Sequence, residues 1–237
     1  MFRKNRRVVA LAVLVGITLL SGCAVAEPRP SATPTGAPTA AGDLPQGTRG
    51  AAHFDDLALV LGDGPVDVQV WIDPFCPDCK AFEEASGADI EKLIAAHDIT
   101  YSIHLMNFLD RASQGSAYST RAGSALVCVA VEQPDRLLAG VQALYAAQPV
   151  ENTTGLTDAA IVDVLADAGI ADLGGCVDEA PYAAWVQSSN DHAIAGIEGA
   201  DVPKISGTPT LIVDGVSYTG DIADAAGIRA FLTSGGS

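Results

Sequence analysis

The chain has 237 residues, 49% of them hydrophobic, and a formal net charge of −16 from 13 basic and 29 acidic residues. This acidity argues against a nucleic-acid partner, because phosphate binding requires clustered Lys and Arg side chains. Residues 51–237 are enough to bury the core of one domain.

Residues 1–22 have the pattern of a secretory signal. Basic residues precede an apolar stretch, Val8 to Leu20, which is too short to be read first as a membrane-spanning helix. The sequence Leu20-Ser21-Gly22-Cys23 resembles the lipobox of bacterial lipoproteins. The resemblance implies that Cys23 is lipidated and that more than one acyl chain holds the protein on the membrane. The alternative is a signal peptide with an incidental cysteine.

Residues 23–50, which begin with the lipidated cysteine, are predicted to be a disordered tether. They are rich in Pro, Thr, Ala and Gly and have almost no large apolar side chains. Such a segment buries too little surface to offset the loss of chain entropy. We therefore expect a folded domain at residues 51–237, held at a distance from a membrane.

A Cys-x-x-Cys sequence lies where an apolar strand gives way to a helix. Residues 66–72 are β-branched and aromatic, whereas residues 77–96 carry apolar side chains at helical spacing. Cys76 should therefore lie at a helix N-terminus, where free N–H groups and the helix dipole stabilise a thiolate, and Pro77 is favoured in the first turn. We predict that Cys76 is an exposed attacking cysteine of low pKa and that Cys79 is the buried resolving thiol. A structural disulfide is an alternative, whereas a zinc site lacks its second cysteine pair.

The sequence Phe75-Cys76-Pro77-Asp78-Cys79 resembles the active-site turn of the DsbA-like thiol-disulfide oxidoreductases of the thioredoxin superfamily. A second match, Thr208-Pro209 within residues 207–215, resembles the cis-proline loop of that family. The resemblance implies that this loop faces the dithiol and that Thr208 offers its backbone to an extended substrate. Taken alone, Thr208-Pro209 also fits an ordinary turn from a loop into a strand.

The predicted elements follow the order of an α/β, thioredoxin-like fold with an inserted helical subdomain. Strands are expected at about residues 57–61, 66–72, 100–106, 209–213 and 216–218, and helices at 77–96 and 222–233. The strands at 66–72 and 100–106 should be parallel, and Asp214-Gly215 predicts a two-residue hairpin. Residues 107–200 are almost all of helical periodicity and correspond to the helical insertion of DsbA-like proteins.

The other cysteines are predicted to form a structural disulfide. If Cys23 carries lipid and Cys76 and Cys79 are the redox pair, Cys128 and Cys176 are the two remaining cysteines. In an exported protein, which meets an oxidising environment, they can form a disulfide with each other. Their bridge would close a loop of about 49 residues inside the helical insertion, which in the chain-entropy treatment is worth about 4 kcal/mol. The alternative is two buried free thiols.

Two departures from the DsbA pattern bear on the mechanism. Asp78 stands where strongly oxidising members carry His, so its charge should raise the pKa of Cys76. We therefore expect a reduction potential below about −120 mV and above that of thioredoxin, about −270 mV. Val70 stands where many relatives place a buried carboxylate that moves the proton of the resolving thiol. Asp67 and Asp73 are nearby acids, for which solvent exposure or capping of the turn is the simpler expectation.

These features predict an extracytoplasmic, lipid-anchored thiol-disulfide oxidoreductase that acts as a monomer without a cofactor. No metal is expected, because the four histidines lack ligand spacing, and His104 is expected on a strand face. The substrates would be thiols of exported or unfolded proteins, and the resemblance implies a quinone-linked membrane partner that reoxidises the dithiol. A disulfide reductase or isomerase is the alternative direction. A lipoprotein that binds peptide or metal without turnover is the alternative class, against which Cys76, Cys79 and Pro209 argue.

Overall fold

The computed structural model of the chain describes residues 44–236. The strands are β1 (Thr48–Arg49), β2 (Ala52–His53), β3 (Ala58–Leu61), β4 (Val66–Ile72), β5 (Ile99–Leu105), β6 (Thr210–Val213) and β7 (Val216–Ser217). The helices are α1 (Pro77–Ala95), α2 (Tyr118–Glu132), α3 (Leu137–Ala146), α4 (Asp158–Asp167), α5 (Gly174–Glu179), α6 (Ala183–Ala195) and α7 (Ala225–Ser234), with 3-10 turns at Phe108–Ala112 and Pro134–Arg136. No helix in this range is both long enough and apolar enough to cross a bilayer.

The strands form one mixed sheet in the order β1-β2-β3-β5-β4-β6-β7. The central pair β4 and β5 is parallel, as predicted, and α1 connects the two strands. Every other neighbouring pair is antiparallel. Asp214 and Gly215 join β6 to β7, both with positive φ, which is the backbone of the predicted two-residue hairpin. The α/β, thioredoxin-like fold class is confirmed.

Side-chain alternation explains why the two central strands lie in the core. Along β5, alternate residues from Ile99 to Leu105 are buried and the residues between them are partly exposed. On β4, Val68 and Val70 are fully buried and belong to the same apolar cluster. Because successive side chains point to opposite faces of a sheet, these residues line one buried face, while Trp71 and Ile212 belong to a second apolar cluster that contains Ala193 of α6.

The helical insertion comprises the 3-10 turn after β5 and helices α2 to α6. Helix α2 is its centre, since most of its side chains are buried between its neighbours. Gly123 allows α6 to approach closely, because a Cβ at this position would lie 3.2 Å from a methyl group of Val186. Trp185 of α6 is fully buried and donates its indole N–H to the Phe54 carbonyl. The Trp185 hydrogen bond attaches the insertion to the segment between β2 and β3.

A disulfide joins Cys128 of α2 to Cys176 of α5, with the Cα atoms 6.1 Å apart. The two residues are 48 positions apart in the chain. Both lie within the helical insertion, so the bridge links two helices of that subdomain to each other.

The boundary predicted for the tether is wrong at its C-terminal end. Residues 48–53 form the β1–β2 hairpin, and Ala51 donates its N–H to the Ala130 carbonyl at the end of α2. Gly50 has positive φ, and a Cβ there would lie 2.2 Å from the same carbonyl oxygen. Two-residue strands have no readable periodicity, so composition alone placed them in the tether. The predicted signal, Cys23 and the tether up to residue 43 lie outside the described residues.

The Cys128–Cys176 bridge should contribute strongly to stability. The double variant Cys128→Ala/Cys176→Ala is expected to lose about 4 kcal/mol of unfolding free energy, because its unfolded chain regains the entropy of an open loop. Urea denaturation monitored by circular dichroism measures this loss. With Cys76–Cys79 reduced in both proteins, reduction of the Cys128–Cys176 bridge should lower the stability of the native protein to that of the variant. A native protein with four reactive thiols under denaturing, non-reducing conditions would contradict the bridge.

Candidate active site

The dithiol lies where β4 ends and α1 begins. Cys76 is the N-cap residue of α1, and Pro77 occupies its first turn. Cys79 is one turn further along, and neither thiol is in a disulfide. The prediction that Cys79 is buried agrees with its exposure of 0%, but Cys76 is only 6% exposed and is therefore not the open thiol that was expected. The reason is that the 3-10 turn after β5 and the Thr208 loop lie beside Cys76 and line a cleft together with it.

The two thiols differ in acidity. The pKa of Cys76 is lowered to about 7, chiefly by a hydrogen bond from the Cys79 thiol and further by the backbone N–H groups of Cys79 and Asp78. Burial raises the pKa of Cys79 well above its ordinary value. This asymmetry fits one thiol that reacts as a thiolate near neutral pH and a partner that stays protonated.

The loop that contains the second matched sequence faces Cys76. The Thr208–Pro209 peptide bond is cis, and the Cys76 thiol donates to the Thr208 carbonyl over 3.2 Å. Pro209 leads directly into β6, which pairs with β4 in the sheet. The structure thus brings together two sequences that lie more than 130 residues apart.

Side chains from the helical insertion hold the backbone of the active-site turn. Gln148, after α3, donates its amide N–H groups to the carbonyls of Pro74 and Cys76, at 3.0 and 2.9 Å. Tyr145 donates its hydroxyl to the Asp73 carbonyl at 3.1 Å. These residues were not found from the sequence, because neither stands in a motif or at a distinctive spacing. Gln148 is the partner of the Pro74 carbonyl, whereas the carbonyls of Asp73 and Cys76 also accept the backbone N–H groups of Cys76 and Lys80.

Asp73 caps the turn, which is one of the two arrangements expected for it, whereas the other, exposure of its side chain to solvent, is wrong. It is 0% exposed, and its two oxygens accept the backbone N–H groups of Phe75 and Leu109 at 2.8 and 2.9 Å. Burial raises its pKa to about 6, against the effect of these hydrogen bonds. Asp67, at the opposite end of β4, instead contacts Gln69 and the β6–β7 hairpin, so it has no place in this site.

The remaining residues of the turn have distinct environments. Phe75 is fully buried and packs edge-on against Tyr118 of α2, with ring centroids 4.9 Å apart. Asp78 is exposed, and its backbone N–H lowers the pKa of Cys76. The expected rise in the Cys76 pKa is therefore outweighed, chiefly by the hydrogen bond from the Cys79 thiol and further by backbone N–H groups of the helix terminus, while Asp78 is exposed to solvent.

A buried carboxyl, Glu83, lies one helical turn after Cys79 and was missed by the sequence analysis. It is 9% exposed, and its Oε1 atom has no hydrogen-bond partner among residues 44–236. Burial raises its pKa to about 7, despite the nearby Gln142 amide. Burial and then the charges of Glu83 and Cys79 raise the pKa of Tyr101, so both groups lie near this phenol. A signal was available, since Glu83 lies four residues after Cys79 on the apolar face of α1.

A cleft of about 280 Å³ opens at Cys76. Its walls are the start of α1, the 3-10 turn after β5 and the Thr208 loop, with Asp78, Arg111 and Glu151 as its charged residues. Val150, 77% exposed, lies in the loop after α3 and lines the adjoining groove with Phe75. A polypeptide could therefore reach Cys76 along a surface of mixed charge with an apolar side.

The buried carboxyl of Glu83 should make stability depend on pH. Its pKa is raised from 4.5 to about 7. Below about pH 4.5 the carboxyl is protonated in both the folded and the unfolded chain and costs no stability, whereas above about pH 7 the folded protein bears the full cost of ionising it. Glu83→Gln should therefore gain about 2–3 kcal/mol relative to the native protein between pH 5 and pH 8. Urea denaturation across this range measures the difference.

The matched control for this experiment is Glu84→Gln. The side chain of Glu84 is 67% exposed and adjacent in sequence, so its variant should follow the native pH profile. Parallel pH profiles for Glu83→Gln and the native protein would show that the Glu83 carboxyl ionises as it does in water.

The fold and the two matched sequences are those of a known family. A profile described as thioredoxin matches residues 59–232. The chain is also 30% identical over 163 residues to the serine/threonine-protein kinase PknE of Mycobacterium tuberculosis, a match that covers 63% of this chain and 28% of the kinase. The chain thus spans little more than a quarter of that relative.

Solved structures give the same result for the fold. DsbA of Mycobacterium tuberculosis aligns with a TM-score of 0.58 and 22% identity, over 76% of this chain and 99% of DsbA. MdbA of Actinomyces oris, a thiol-disulfide oxidoreductase, aligns with a TM-score of 0.63 and 17% identity, over 79% of this chain and 93% of MdbA. The chain therefore belongs to the thioredoxin family and has the fold of its DsbA-like members, as the Cys-x-x-Cys turn and the Thr208-Pro209 loop predicted.

Proposed function

We propose that the protein is a thiol-disulfide oxidoreductase that donates the Cys76–Cys79 disulfide to exported proteins. The observation that carries this proposal is the unequal pair of thiols. Cys76 has a pKa lowered to about 7 and borders an open cleft, whereas Cys79 is buried and its pKa is raised. A structural cysteine pair needs neither the cleft nor the difference in acidity.

As a disulfide donor, the protein would react in two exchange steps. A substrate thiolate attacks the Cys76 sulfur, a mixed disulfide forms, and Cys79 leaves as a thiolate that takes up a proton. A second substrate thiolate then attacks the substrate sulfur of the mixed disulfide, so that the substrate gains a disulfide and Cys76 leaves as a thiolate. Two electrons pass from the two substrate thiols to the Cys76–Cys79 disulfide, which becomes the dithiol. The backbone of Thr208, beside Cys76, would hold an extended substrate during both steps.

The direction of exchange depends on how strongly the fold stabilises the reduced form. A thiolate held by N–H groups stabilises the dithiol and so makes its disulfide a better oxidant. The lowered pKa of Cys76 supports this direction. The potential is expected between about −270 mV and about −120 mV, on the oxidising side of about −200 mV.

The reduction potential is the measurement that tests this proposal. The protein is equilibrated with glutathione mixtures, and the reduced fraction is determined by thiol alkylation and mass spectrometry. A value above about −200 mV supports a disulfide donor, whereas a value near −270 mV supports a reductase. Cys79→Ser is the control, because it should retain a mixed disulfide at Cys76. If Cys76–Cys79 shows no redox transition, the disulfide-exchange function is refuted, and a non-catalytic binding protein of thioredoxin fold is the remaining alternative.

The residue at position 78 should tune the potential. Asp78→His is expected to raise the reduction potential by about 30 mV. An imidazolium beside Cys76 should stabilise the thiolate by about 1.4 kcal/mol, and for a two-electron couple this energy corresponds to about 30 mV. Asp78→Asn removes the exposed charge without adding a cation and should change the potential much less. The same glutathione equilibrium measures both variants. Equal potentials for the native protein and Asp78→His would show that position 78 does not act on the thiolate.

We also propose that the protein works outside the cytoplasm as a lipid-anchored monomer. The supporting features are the apolar signal pattern of residues 1–22 and the lipobox-like sequence that ends at Cys23. Its substrates would be thiols of exported or unfolded proteins. The reduced dithiol would be reoxidised by a quinone-linked membrane protein, a partner that the DsbA resemblance supports.

A further inference from the structure

The buried carboxyl of Glu83 has no part in the two exchange steps. Cys79 and Glu83 stand four residues apart on α1, so their side chains are neighbours one turn apart on the same buried face of the helix. Burial disfavours the charged form of a carboxyl, and Glu83 Oε1 has no hydrogen-bond partner among residues 44–236. Glu83 therefore lowers the stability of the fold, and a chemical role would account for its presence.

The packing of α1 against α3 leaves room for this carboxyl. A Cβ at Gly87, one turn further along α1, would lie 2.0 Å from Glu83 Oε1, so the oxygen occupies the space that the glycine leaves free. Gln142 of α3 lies close to the same space, with Nε2 3.5 Å from that Cβ position. Its amide lowers the pKa of Glu83, against the larger effect of burial.

No positive charge neutralises Glu83. After burial, the charge of Glu91 on the same helix raises its pKa further. Lys80 is paired with Glu84, at 3.9 Å, and none of the ion pairs among residues 44–236 includes Glu83. The carboxyl is therefore free to gain and lose a proton near neutral pH.

A groove between α1 and α3 gives Glu83 its own access to solvent. It has a volume of about 310 Å³ and is lined by Glu83 on one side and by Gln142 and Tyr145 on the other. None of the residues that line it also lines the cleft at Cys76. A substrate held at Thr208 would cover the cleft and leave this groove open to water.

Two buried phenols are close to both the carboxyl and the resolving thiol. Tyr101 of β5 is 2% exposed, and after burial the charges of Glu83 and then Cys79 raise its pKa. Tyr145 of α3 is 3% exposed, and its pKa is raised by burial and then by the charge of Cys79, with Glu83 among the further causes. The Tyr145 hydroxyl donates to the Asp73 carbonyl, whereas that of Tyr101 can receive one proton while it passes on another.

The first exchange step requires a proton at Cys79. When a substrate thiolate attacks the Cys76 sulfur, the Cys76–Cys79 bond breaks and its electron pair stays on the Cys79 sulfur. Burial raises the pKa of Cys79 well above its ordinary value, so this thiolate is a strong base. If no proton reaches it, it attacks the mixed disulfide and expels the substrate again. Glu83, whose pKa is about 7, is far more acidic than Cys79, so a proton passes from the carboxyl to the thiolate downhill.

We propose that Glu83 supplies, through the Tyr101 phenol, the proton that Cys79 takes up as the mixed disulfide forms. This inference rests on the proposed exchange function. The phenol gives its proton to the Cys79 sulfur and receives the proton of the carboxyl, which is left as a carboxylate. Water in the α1–α3 groove then returns a proton to Glu83, so that no proton has to enter through the cleft that the substrate occupies.

The pH profile of exchange tests the proposal. Oxidised full-length protein in detergent reacts with an unstructured peptide that has one cysteine, and alkylation with mass spectrometry follows the loss of the Cys76–Cys79 disulfide. The rate constant per substrate thiolate is expected to be constant below about pH 6 and to fall through about pH 7, where Glu83 ionises. Glu83→Gln should be at least about ten-fold slower below about pH 6 and lack this fall, so that the two profiles converge above about pH 8.

Further variants separate proton donation from a structural effect. Gln142→Leu removes an amide that lowers the pKa of Glu83, so the fall in rate should move to higher pH. Tyr101→Phe keeps the ring and should slow exchange below about pH 6 nearly as much as Glu83→Gln does. Glu179→Gln, an exposed acid outside the groove, should retain the native profile. Because Glu83→Gln is expected to be more stable than the native protein, its slower exchange would not come from a loss of fold.

The outcomes that overturn the proposal are distinct from failure of the proposed function. A Glu83→Gln profile that equals the native one in rate and pH dependence would assign the proton to Asp73 or to water in the cleft. A fall in rate at the same pH in Gln142→Leu would show that another group titrates. Native rates in Tyr101→Phe would refute the path through the phenol. If the native protein does not react with the peptide at any pH, the exchange function itself is refuted, and the inference on Glu83 fails with it.

Discussion

The backbone of the turn that carries Cys76 is buried, and its polar groups must nevertheless be paired. Asp73 accepts N–H groups at both of its carboxylate oxygens, one of them from Leu109. Gln148 and Tyr145 donate to carbonyls of the same turn. A buried donor or acceptor left unpaired costs about 1–3 kcal/mol, so these contacts stabilise the turn together with its backbone bonds from Cys76 to Asp73 and from Lys80 to Cys76. The position of the Cys76 sulfur at the helix N-terminus depends on them.

This constraint gives the helical insertion a role in the active site. Gln148 and Tyr145 belong to the insertion, and so does Tyr118, which packs on Phe75. The disulfide between α2 and α5 links helices of the same subdomain to each other. A change that loosens the insertion is therefore expected to reach the dithiol through the hydrogen bonds of the turn, without contact with either thiol.

The burial that shapes the dithiol also gathers ionisable groups around it. Asp73 and Glu83 both have raised pKa values because water is excluded from them, and Cys79 is affected in the same way. Among these groups Cys76 alone has a lowered pKa, chiefly because the Cys79 thiol donates a hydrogen bond to its sulfur and further because backbone N–H groups of the helix terminus do so. Near neutral pH the site thus contains one thiol ready to ionise and carboxyls that titrate close to the same pH. Proton uptake and thiol exchange can therefore occur in one desolvated cluster.

The sequence by itself determined the central elements and the reactive pair. Alternation along β4 and β5, helical spacing in α1, and the Cys-x-x-Cys spacing are local patterns, and each reports on the element that contains it. Tertiary structure alone decided that Asp73 is buried, that Gln148 reaches the turn, and that residues 48–53 extend the sheet. It also formed the cavity of about 670 Å³ that β4, β5 and the C-terminal end of α6 line. These features depend on contacts between segments that are far apart in the sequence. The residues next to a given position in the sequence therefore do not show which side chain or carbonyl will pack against it.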